Sequence, residues 1–289
     1  MRVCVTGASG FIGQHVAKAL CEAGHYVIGL DQILAVPGTC PEWRLVDITY
    51  PLEKIPGLDA VIHLAALANP RECDADPAKA FNINVNGTHQ VLKIALESGA
   101  KKVVFSSSAH VYDIPPKWLP TDETAPLRLN NTYTTTKILG EQLCQLYFEN
   151  HGLSHTTLRL FNAYGPGQSR GYFIPDMVAK ARSGPIHLAG GLTTKDFIHV
   201  GDVARAFLLG LETSFVGPIN IGTGQETQLF SIATTIANRF EVACDDNGGA
   251  ATRMCADWHR AERVLGWCPT VSLEEGLRAA IGAAEKVAV

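Results

Sequence analysis

Short apolar runs alternate with longer stretches of helical period through the first half of the chain. Arg2–Thr6, Tyr26–Leu30, Ala60–Leu64, Lys102–Ser106 and Thr156–Leu160 are brief and largely aliphatic, the pattern of strands buried on both faces. Ile12–Ala23, Pro77–Ser98 and Asn131–Asn150 are longer, and each predicts a helix. Alternation of this kind implies an α/β fold, a parallel sheet covered on both faces. After Asn162 the pattern becomes irregular. Gly165-Pro166-Gly167, Gly184-Pro185 and Gly190-Gly191 mark loops, and a smaller mixed segment is expected there, with Asp202–Leu211 a helix and Pro218–Ile221 a strand.

Composition narrows the function classes. The 289 residues are 46% hydrophobic and 18% charged, which argues against disorder and allows one large domain or two moderate ones. A net charge of −4 with no basic stripe disfavours a nucleic-acid surface. No apolar run reaches the length of a membrane span, and no signal peptide is expected at the N-terminus. The eight cysteines form no CxxC pair, and the ten histidines show neither HxxxH nor HExxH spacing. Reduced thiols in a cytoplasmic enzyme, and no metal site, are the expectations.

Two stretches carry candidate chemistry. In "MRVCVTGASGFIGQHV" a strand, a turn and a helix hold Gly7, Gly10 and Gly13 at intervals of three. Gly7 permits a tight turn, Gly10 lets amides approach a pyrophosphate, and Gly13 lets helix pack on strand. Asp31, at the end of the next strand, can accept hydrogen bonds from both ribose hydroxyls and would repel a 2′-phosphate, so NAD is favoured over NADP. In "NNTYTTTKILGEQL" Tyr133 and Lys137 stand four apart on one helical face. A free tyrosine ionises near pH 10, so serving as a base near neutrality requires about 4 kcal/mol of help from neighbouring charge. By itself such a pair is usually a surface tyrosine beside a solvated lysine.

With those motifs in place, the sequence resembles the extended short-chain dehydrogenase/reductase family, in particular its nucleotide-sugar epimerases and dehydratases. The resemblance runs through "TGASGFIG", "HLAA", "SSSAHVY", "YTTTK", "RLFNAYGPGQ", "KDFIHVGDVARA", "NIGTG" and "ADWHRAERVLGWCPTVSLEEGL". It implies a Rossmann-type doubly wound sheet over residues 1–162. Residues 163–289 would form a smaller, mixed α/β substrate-binding domain, with the segment around 196–224 packing back on the first. NAD would be held by Gly7, Gly10, Phe11, Ile12, Gly13 and Asp31, with Asp47 and Ile48 bordering the adenine. Leu64, Ala65 and Ala66 would line the cofactor cleft. Ser108, Tyr133 and Lys137 match the catalytic triad, and Asn162 matches a substrate contact. Arg71, in the loop after "HLAA", and Ala109 and His110, after the serine, would face the sugar.

The chain departs from the family where charge matters. An acid pair that eliminates water in sugar dehydratases is replaced by Ala109 and His110. Lys195 stands where the substrate clamp usually has Arg, and Arg253 is the only cation in Asn247–Asp257. Lys is a point charge where Arg grips phosphate bidentately, so the diphosphate clamp is rearranged.

The expected function is therefore NAD-dependent epimerisation of a nucleotide sugar at C4, through a 4-keto intermediate. A dehydratase or oxidoreductase using His110 as an extra acid/base is the alternative, and a non-catalytic NAD-binding sensor or scaffold is the alternative of another class. The helices Pro77–Ser98 and Asn131–Asn150 carry apolar positions Val85, Leu92, Leu139, Leu143 and Leu146 beyond what one sheet face needs, which predicts a homodimer.

Overall fold

The computed structural model describes residues 1–33 and 40–286. The first half runs β1 (Arg2–Thr6), α1 (Phe11–Glu22), β2 (Tyr26–Asp31), β3 (Glu42–Leu45), β4 (Ala60–His63), α2 (Pro70–Ala75), α3 (Pro77–Phe81), α4 (Gly87–Glu97), β5 (Lys102–Ser108), α5 (Thr132–His151) and β6 (Ser154–Leu160). The second runs β7 (Asn162–Tyr164), α6 (Phe173–Ser183), β8 (Ile186–Leu188), β9 (Thr194–Lys195), β10 (Phe197–His199), α7 (Val200–Glu212), β11 (Gly217–Ile221), β12 (Thr227–Gln228), α8 (Leu229–Arg239), β13 (Cys244–Asp246), α9 (His259–Leu265) and α10 (Leu273–Lys286). Seven strands form one parallel sheet in the order β11-β6-β5-β4-β1-β2-β3.

Helices α1 and α7 cover one face, burying Val16, Ala17 and Leu20 beside Val203, Phe207 and Leu211. The other face is covered by α4 and α5 through Val91, Leu92, Ala95, Cys144 and Tyr147. Burial on both sides explains why the central strands read as unbroken apolar runs. The strand order reverses between β1 and β4, so their C-terminal ends open the crevice where such sheets bind ligands.

Three differences from the sequence pattern have local causes. The expected helix Pro77–Ser98 is three pieces, because Asn82–Asn86 widens into a π turn between α3 and α4. There Asn84 turns its carboxamide to the backbone of Leu67, and Gly87 leaves room for Ile48, whose side chain lies 2.7 Å from where a Cβ would be. Leu92 is buried in the sheet core, so it does not belong with the apolar surface positions assigned to a dimer. β3 was not expected. Its "EWRL" has no apolar run because an edge strand needs burial on one side only. The strand Gly217–Ile221 belongs to the main sheet, beside β6.

A second core lies between α6, α8 and α10, built from Ile174, Met177, Val178, Ile232, Ile236, Leu277 and Ile281. Two buried carboxylates tie this part together. Asp196 accepts from the Thr223, Gly224 and Ala256 amides and the Thr223 hydroxyl. Asp202 accepts from the Thr270 and Val271 amides and the Thr270 hydroxyl, and its carbonyl takes the Trp267 indole N–H at 2.9 Å.

Beneath the crevice, His63 is 2% exposed between two threonines. The Thr88 hydroxyl donates to the Asn84 carbonyl at 2.6 Å, so it accepts from His63 Nε2–H at 2.9 Å. Nδ1 must then accept from the Thr6 hydroxyl at 2.6 Å. This neutral tautomer fits a pKa pushed by burial, and secondarily by Lys137, down to about 3. His155, 3% exposed, is likewise lowered to about 4 by burial.

The native state thus refuses protons that the unfolded chain takes up near pH 6.5. Stability should be full above that value and fall between pH 6.5 and about 4, by about 1.4 kcal/mol per pH unit for each imidazole in the steep part. Urea midpoints measured from pH 7 to 4.5 should show this slope; His110 and His199, lowered by burial as well, add to it, so His155→Gln should remove only a part of it, about a third or less. A flat profile in the unmutated protein would contradict neutral burial.

Candidate active site

The cofactor end is built by backbone. Gly7 has φ +69°, and a Cβ there would come within 2.7 Å of the Ala65 amide nitrogen. At Gly13 a Cβ would lie 2.0 Å from the Gly7 carbonyl. Neither position can carry a side chain. α1 starts at Gly10 with no side-chain cap, and its first intrahelical bond of this turn runs from Gln14 N–H to Gly10 C=O. The Phe11, Ile12 and Gly13 amides precede that bond and point along the positive end of the helix, a ready site for phosphate.

Asp31 sits at the mouth of this loop, where Oδ2 accepts from the Ser9 amide at 2.9 Å and Oδ1 from the Gln32 amide at 2.7 Å. Asp47 is turned inward on its own loop by the Thr49 amide and hydroxyl, the first of which chiefly holds its carboxyl below the usual range. Ile48 next to it is buried. Leu64 and Ala65 hang from Thr6 by their amides, and Ala66 follows them at the crevice edge. The glycine cradle, the open amides and Asp31 together fit a dinucleotide.

The proton-handling end joins β5 to α5. β5 stops at Ser108, whose hydroxyl accepts the His110 amide at 3.2 Å and so turns the chain into one tight helical turn. Asn131 caps α5 by accepting the Thr134 amide at 2.8 Å. That fixed start places Tyr133 and, one turn on, Lys137 in the interior, 8% and 5% exposed. The Lys137 ammonium donates to the Ser106 carbonyl at 2.8 Å and lies 5.9 Å from the Tyr133 ring centroid. Burial pushes the Tyr133 phenol above its ordinary range, and a hydrogen bond with Ser108 works against that push. Burial pulls Lys137 down to about 8.

His110 meets the Tyr133 ring edge-on at 6.4 Å between centroids. Burial, followed by the positive charge of Lys195, lowers its pKa to about 4, so the imidazole is neutral at physiological pH. Ala109 is buried. Lys195 lies on β9, and its own pKa is lowered by burial. Asn162 spends its amide N–H on the Asp196 carbonyl at 3.0 Å and on Met254 Sδ at 3.7 Å. Arg253 is exposed and forked onto Glu226. Arg71 is exposed on α2, apart from the buried group.

Three further residues contribute, the first of them from the same loop after "HLAA" as Arg71. Cys73 packs with Ala80 against Tyr133 and points its thiol at the Leu67 carbonyl. Tyr172 acts electrostatically on Tyr133. Glu141 stands four residues beyond Lys137 in a buried pair with Arg159. In the sequence Cys73 is marked by its place beside Arg71 and Glu141 by continuing the spacing of Tyr133 and Lys137, whereas Tyr172 carries no such signal.

Cofactor choice follows from Asp31. Calorimetry should show tighter binding of NAD than of NADP, and Asp31→Ala should narrow the gap mainly by weakening NAD. Equal or tighter NADP binding by the unmutated protein would remove Asp31 from this role.

The chain is similar to known proteins along nearly its whole length. A family model described as the NAD dependent epimerase/dehydratase family matches residues 3–222. A Methanocaldococcus jannaschii protein, provisionally named a UDP-glucose 4-epimerase, is 34% identical over 296 residues, with 96% of each chain covered. UDP-glucuronic acid decarboxylase 6 of Arabidopsis thaliana is 30% identical over 300 residues, covering 96% of this chain and 87% of that one. Among solved structures, MoeE5 in complex with UDP-glucose and NAD superposes with a TM-score of 0.88 at 30% identity, covering 100% of both chains. MoeE5 with UDP-glucuronic acid and NAD gives 0.91 at 27%, over 99% of this chain and 100% of that one. A dinucleotide cradle on a doubly wound sheet and a family match spanning both parts of the crevice lead to one conclusion: this chain is an NAD-using enzyme of the NAD dependent epimerase/dehydratase family, within the extended short-chain dehydrogenase/reductases.

Proposed function

We propose that the enzyme interconverts C4 epimers of a UDP-hexose. The observation that carries this reading is a single buried proton acceptor, Tyr133, with a serine hydroxyl and a lysine beside it and no carboxylate in the strand end Ser108–His110. Relatives and neighbours named for UDP-sugars support the nucleotide.

In this reading Ser108 orients the C4 hydroxyl against the Tyr133 oxygen, and Tyr133 takes its proton. The bound NAD supplies a reversible acceptor for the electron pair that leaves C4. Lys137 holds positive charge near the phenol, and its grip on the Ser106 carbonyl keeps strand end and helix together. Burial that raises the Tyr133 pKa keeps the proton on the phenol until reduction of the 4-keto sugar from its other face creates a more basic alkoxide oxygen to receive it. The proton is thus returned from the atom that removed it. Gly7, Gly10, Phe11, Ile12, Gly13, Asp31, Asp47, Ile48, Leu64, Ala65 and Ala66 form the NAD-binding wall. Ala109, His110, Asn162 and Lys195 form the sugar side, with Arg253 and Arg71 at its rim.

Dehydration needs an acid to protonate a leaving hydroxyl. His110 is neutral at physiological pH, kept so by burial and then by the charge of Lys195, which disfavours that alternative. Residues 1–162 serve as the cofactor-binding unit and 163–289 mainly as the substrate-binding one. No helix among the described residues is long and apolar enough to cross a membrane, and the cytoplasm is the compartment we assign.

Incubation with NAD and a panel of UDP-sugars, followed by NMR, should show a C4 epimer with no carbon dioxide and no net reduced cofactor. Release of carbon dioxide from UDP-glucuronate would replace this reading with decarboxylation. Tyr133→Phe should abolish turnover while leaving NAD bound. Ser108→Ala should cost about 10²–10⁴-fold. His110→Ala should leave the rate within a few-fold; accumulation of keto sugar with reduced cofactor would instead make it a proton donor.

We propose further that two copies pair through α5 and the π turn Asn82–Asn86 that precedes α4. Leu139 and Leu146 are exposed there, and Val85 and Leu143 line the same depression. Light scattering should give the dimer mass at micromolar concentration, and Leu146→Glu should give the monomer. A monomeric parent protein would end this proposal.

A further inference from the structure

Tyr133 can exchange a proton only if α5 holds it at a fixed height over the end of β5, and the structure shows where that height is set. Tyr133, Lys137 and Glu141 follow one another at intervals of four along α5. At Gly140 the helix touches the strand, since a Cβ there would lie 2.5 Å from the Phe105 ring. Next to that contact, Glu141 is 8% exposed, and its Oε1 accepts the Ser107 hydroxyl at 2.5 Å and Arg159 Nε at 2.9 Å. Oε2 accepts Arg159 Nη2 at 2.7 Å. Arg159 is 4% exposed and anchored beyond the pair by Nη1 on the Tyr112 hydroxyl at 3.1 Å, which itself donates to Asn220 Oδ1 at 2.6 Å.

We propose that Glu141 is the positioning residue of the proton-transfer site, its carboxylate clamping α5 to both the Ser108-bearing strand and its neighbour so that Tyr133 meets Ser108. The inference rests on the reading of Tyr133 as proton acceptor and adds the device that aims it. Ser107 adjoins Ser108 directly, and β6 lies beside β5 in register, Ser107 opposite Arg159. One carboxylate therefore joins three elements at the level of the site. A fully desolvated pair is weak evidence for stability, because an apolar pair of similar volume often holds a fold as well. Its fixed geometry is what an apolar pair would not supply.

The charges around this device are few. Lys137 is acted on by Cys73 from α2 and by Glu141 and Cys144 from α5, and in turn it acts on His63 of β4. Tyr133 faces Ser108, Tyr172 and Cys73, with the neutral His110 against its ring. A variant that keeps the Glu141 charge but shortens its reach separates aim from electrostatics.

Glu141→Asp is that variant, because it keeps the carboxylate and withdraws it by one methylene. In NAD-loaded protein, Tyr133 would be titrated by its near-ultraviolet tyrosinate band, taken as a difference against Tyr133→Phe in the same background. The midpoint should rise by about one pH unit, which is tenfold less phenolate near neutrality. On a UDP-hexose, kcat should fall about tenfold with KM unchanged, and the deficit should close as pH rises through the new midpoint. Ser107→Ala, which leaves the ion pair whole, should move both readouts the same way by a smaller amount, and carries the test if the aspartate variant does not fold. An unchanged midpoint in the folded variants, or a rate loss equal at every pH, would overturn the proposal. If no UDP-hexose is turned over by the parent, the titration still decides the positioning role, while the epimerase reading fails separately.

Discussion

A phenol sealed from water keeps its proton, and the crevice is arranged around that fact. Tyr133 is 8% exposed, and burial, followed by the charges of Tyr172 and Cys73, drives its pKa upward. The remedy has to come from neighbours held at short range, because charge at a distance is screened or paired elsewhere. Ser108 supplies a hydrogen bond that works against the rise, and Lys137, its own pKa lowered by burial, stands 5.9 Å from the ring centroid. A lysine near pKa 8 and a buried tyrosine leave the protonation of the pair responsive to what binds beside it. A cationic ring arriving over the phenol would favour the phenolate and disfavour the neighbouring ammonium. In the proposed reaction, the base is then armed only when the cofactor is in place.

The same constraint explains why so much of the fold is polar on the inside. The residues behind the site are joined by hydrogen bonds that are almost all used up: Thr6, His63, Thr88 and Asn84 under the cofactor cleft, Ser107, Glu141 and Arg159 behind the strand end. Each buried group has a partner, so none is free to swing toward the crevice and compete for the proton. Asp196 does the same for the second half. Its carboxylate gathers the Thr223–Gly224 loop and the Ala256 amide, which brings β9, the end of β11 and the segment around Met254 to one side of the cleft.

Much of this was legible in the chain because it follows from backbone rules. The glycines of the first loop are demanded by a φ of +69° and by a Cβ with nowhere to go, and such demands leave letters in the sequence. The spacing of Tyr133 and Lys137 was readable for the same reason, as helical period fixes which residues share a face. What the letters did not reveal depends on contacts between distant segments. Leu92 looks like its neighbours Leu139 and Leu146 in any pattern, yet the sheet claims it and leaves them outside. The break at Asn82–Asn86 is invisible until Asn84 is seen bonding Leu67 and Thr136. Arg159, read as one polar letter in a strand, is the far anchor of α5.

The charged end of the site shows how a conservative substitution changes a grip. Lys195 and Thr194 lie on β9, paired with Thr227 and Gln228 of β12, and Glu226 stands just before that strand. Glu226 takes the Thr194 hydroxyl at 2.5 Å and both arms of Arg253. One cation is therefore desolvated and has no carboxylate partner among the described residues, while the other is exposed and already matched. An exposed ion pair is weakened by solvent, so an anionic ligand can draw Arg253 off Glu226 at little cost. Lys195 needs no such exchange, but it offers a point charge without bidentate geometry. Orientation of a diphosphate would then come from Arg253 after it leaves Glu226, and initial attraction from Lys195. If Lys195 and Arg253 hold the diphosphate as proposed, the fixed fork that an arginine at position 195 would present gives way to a two-part grip, one part always open and one released by the ligand itself.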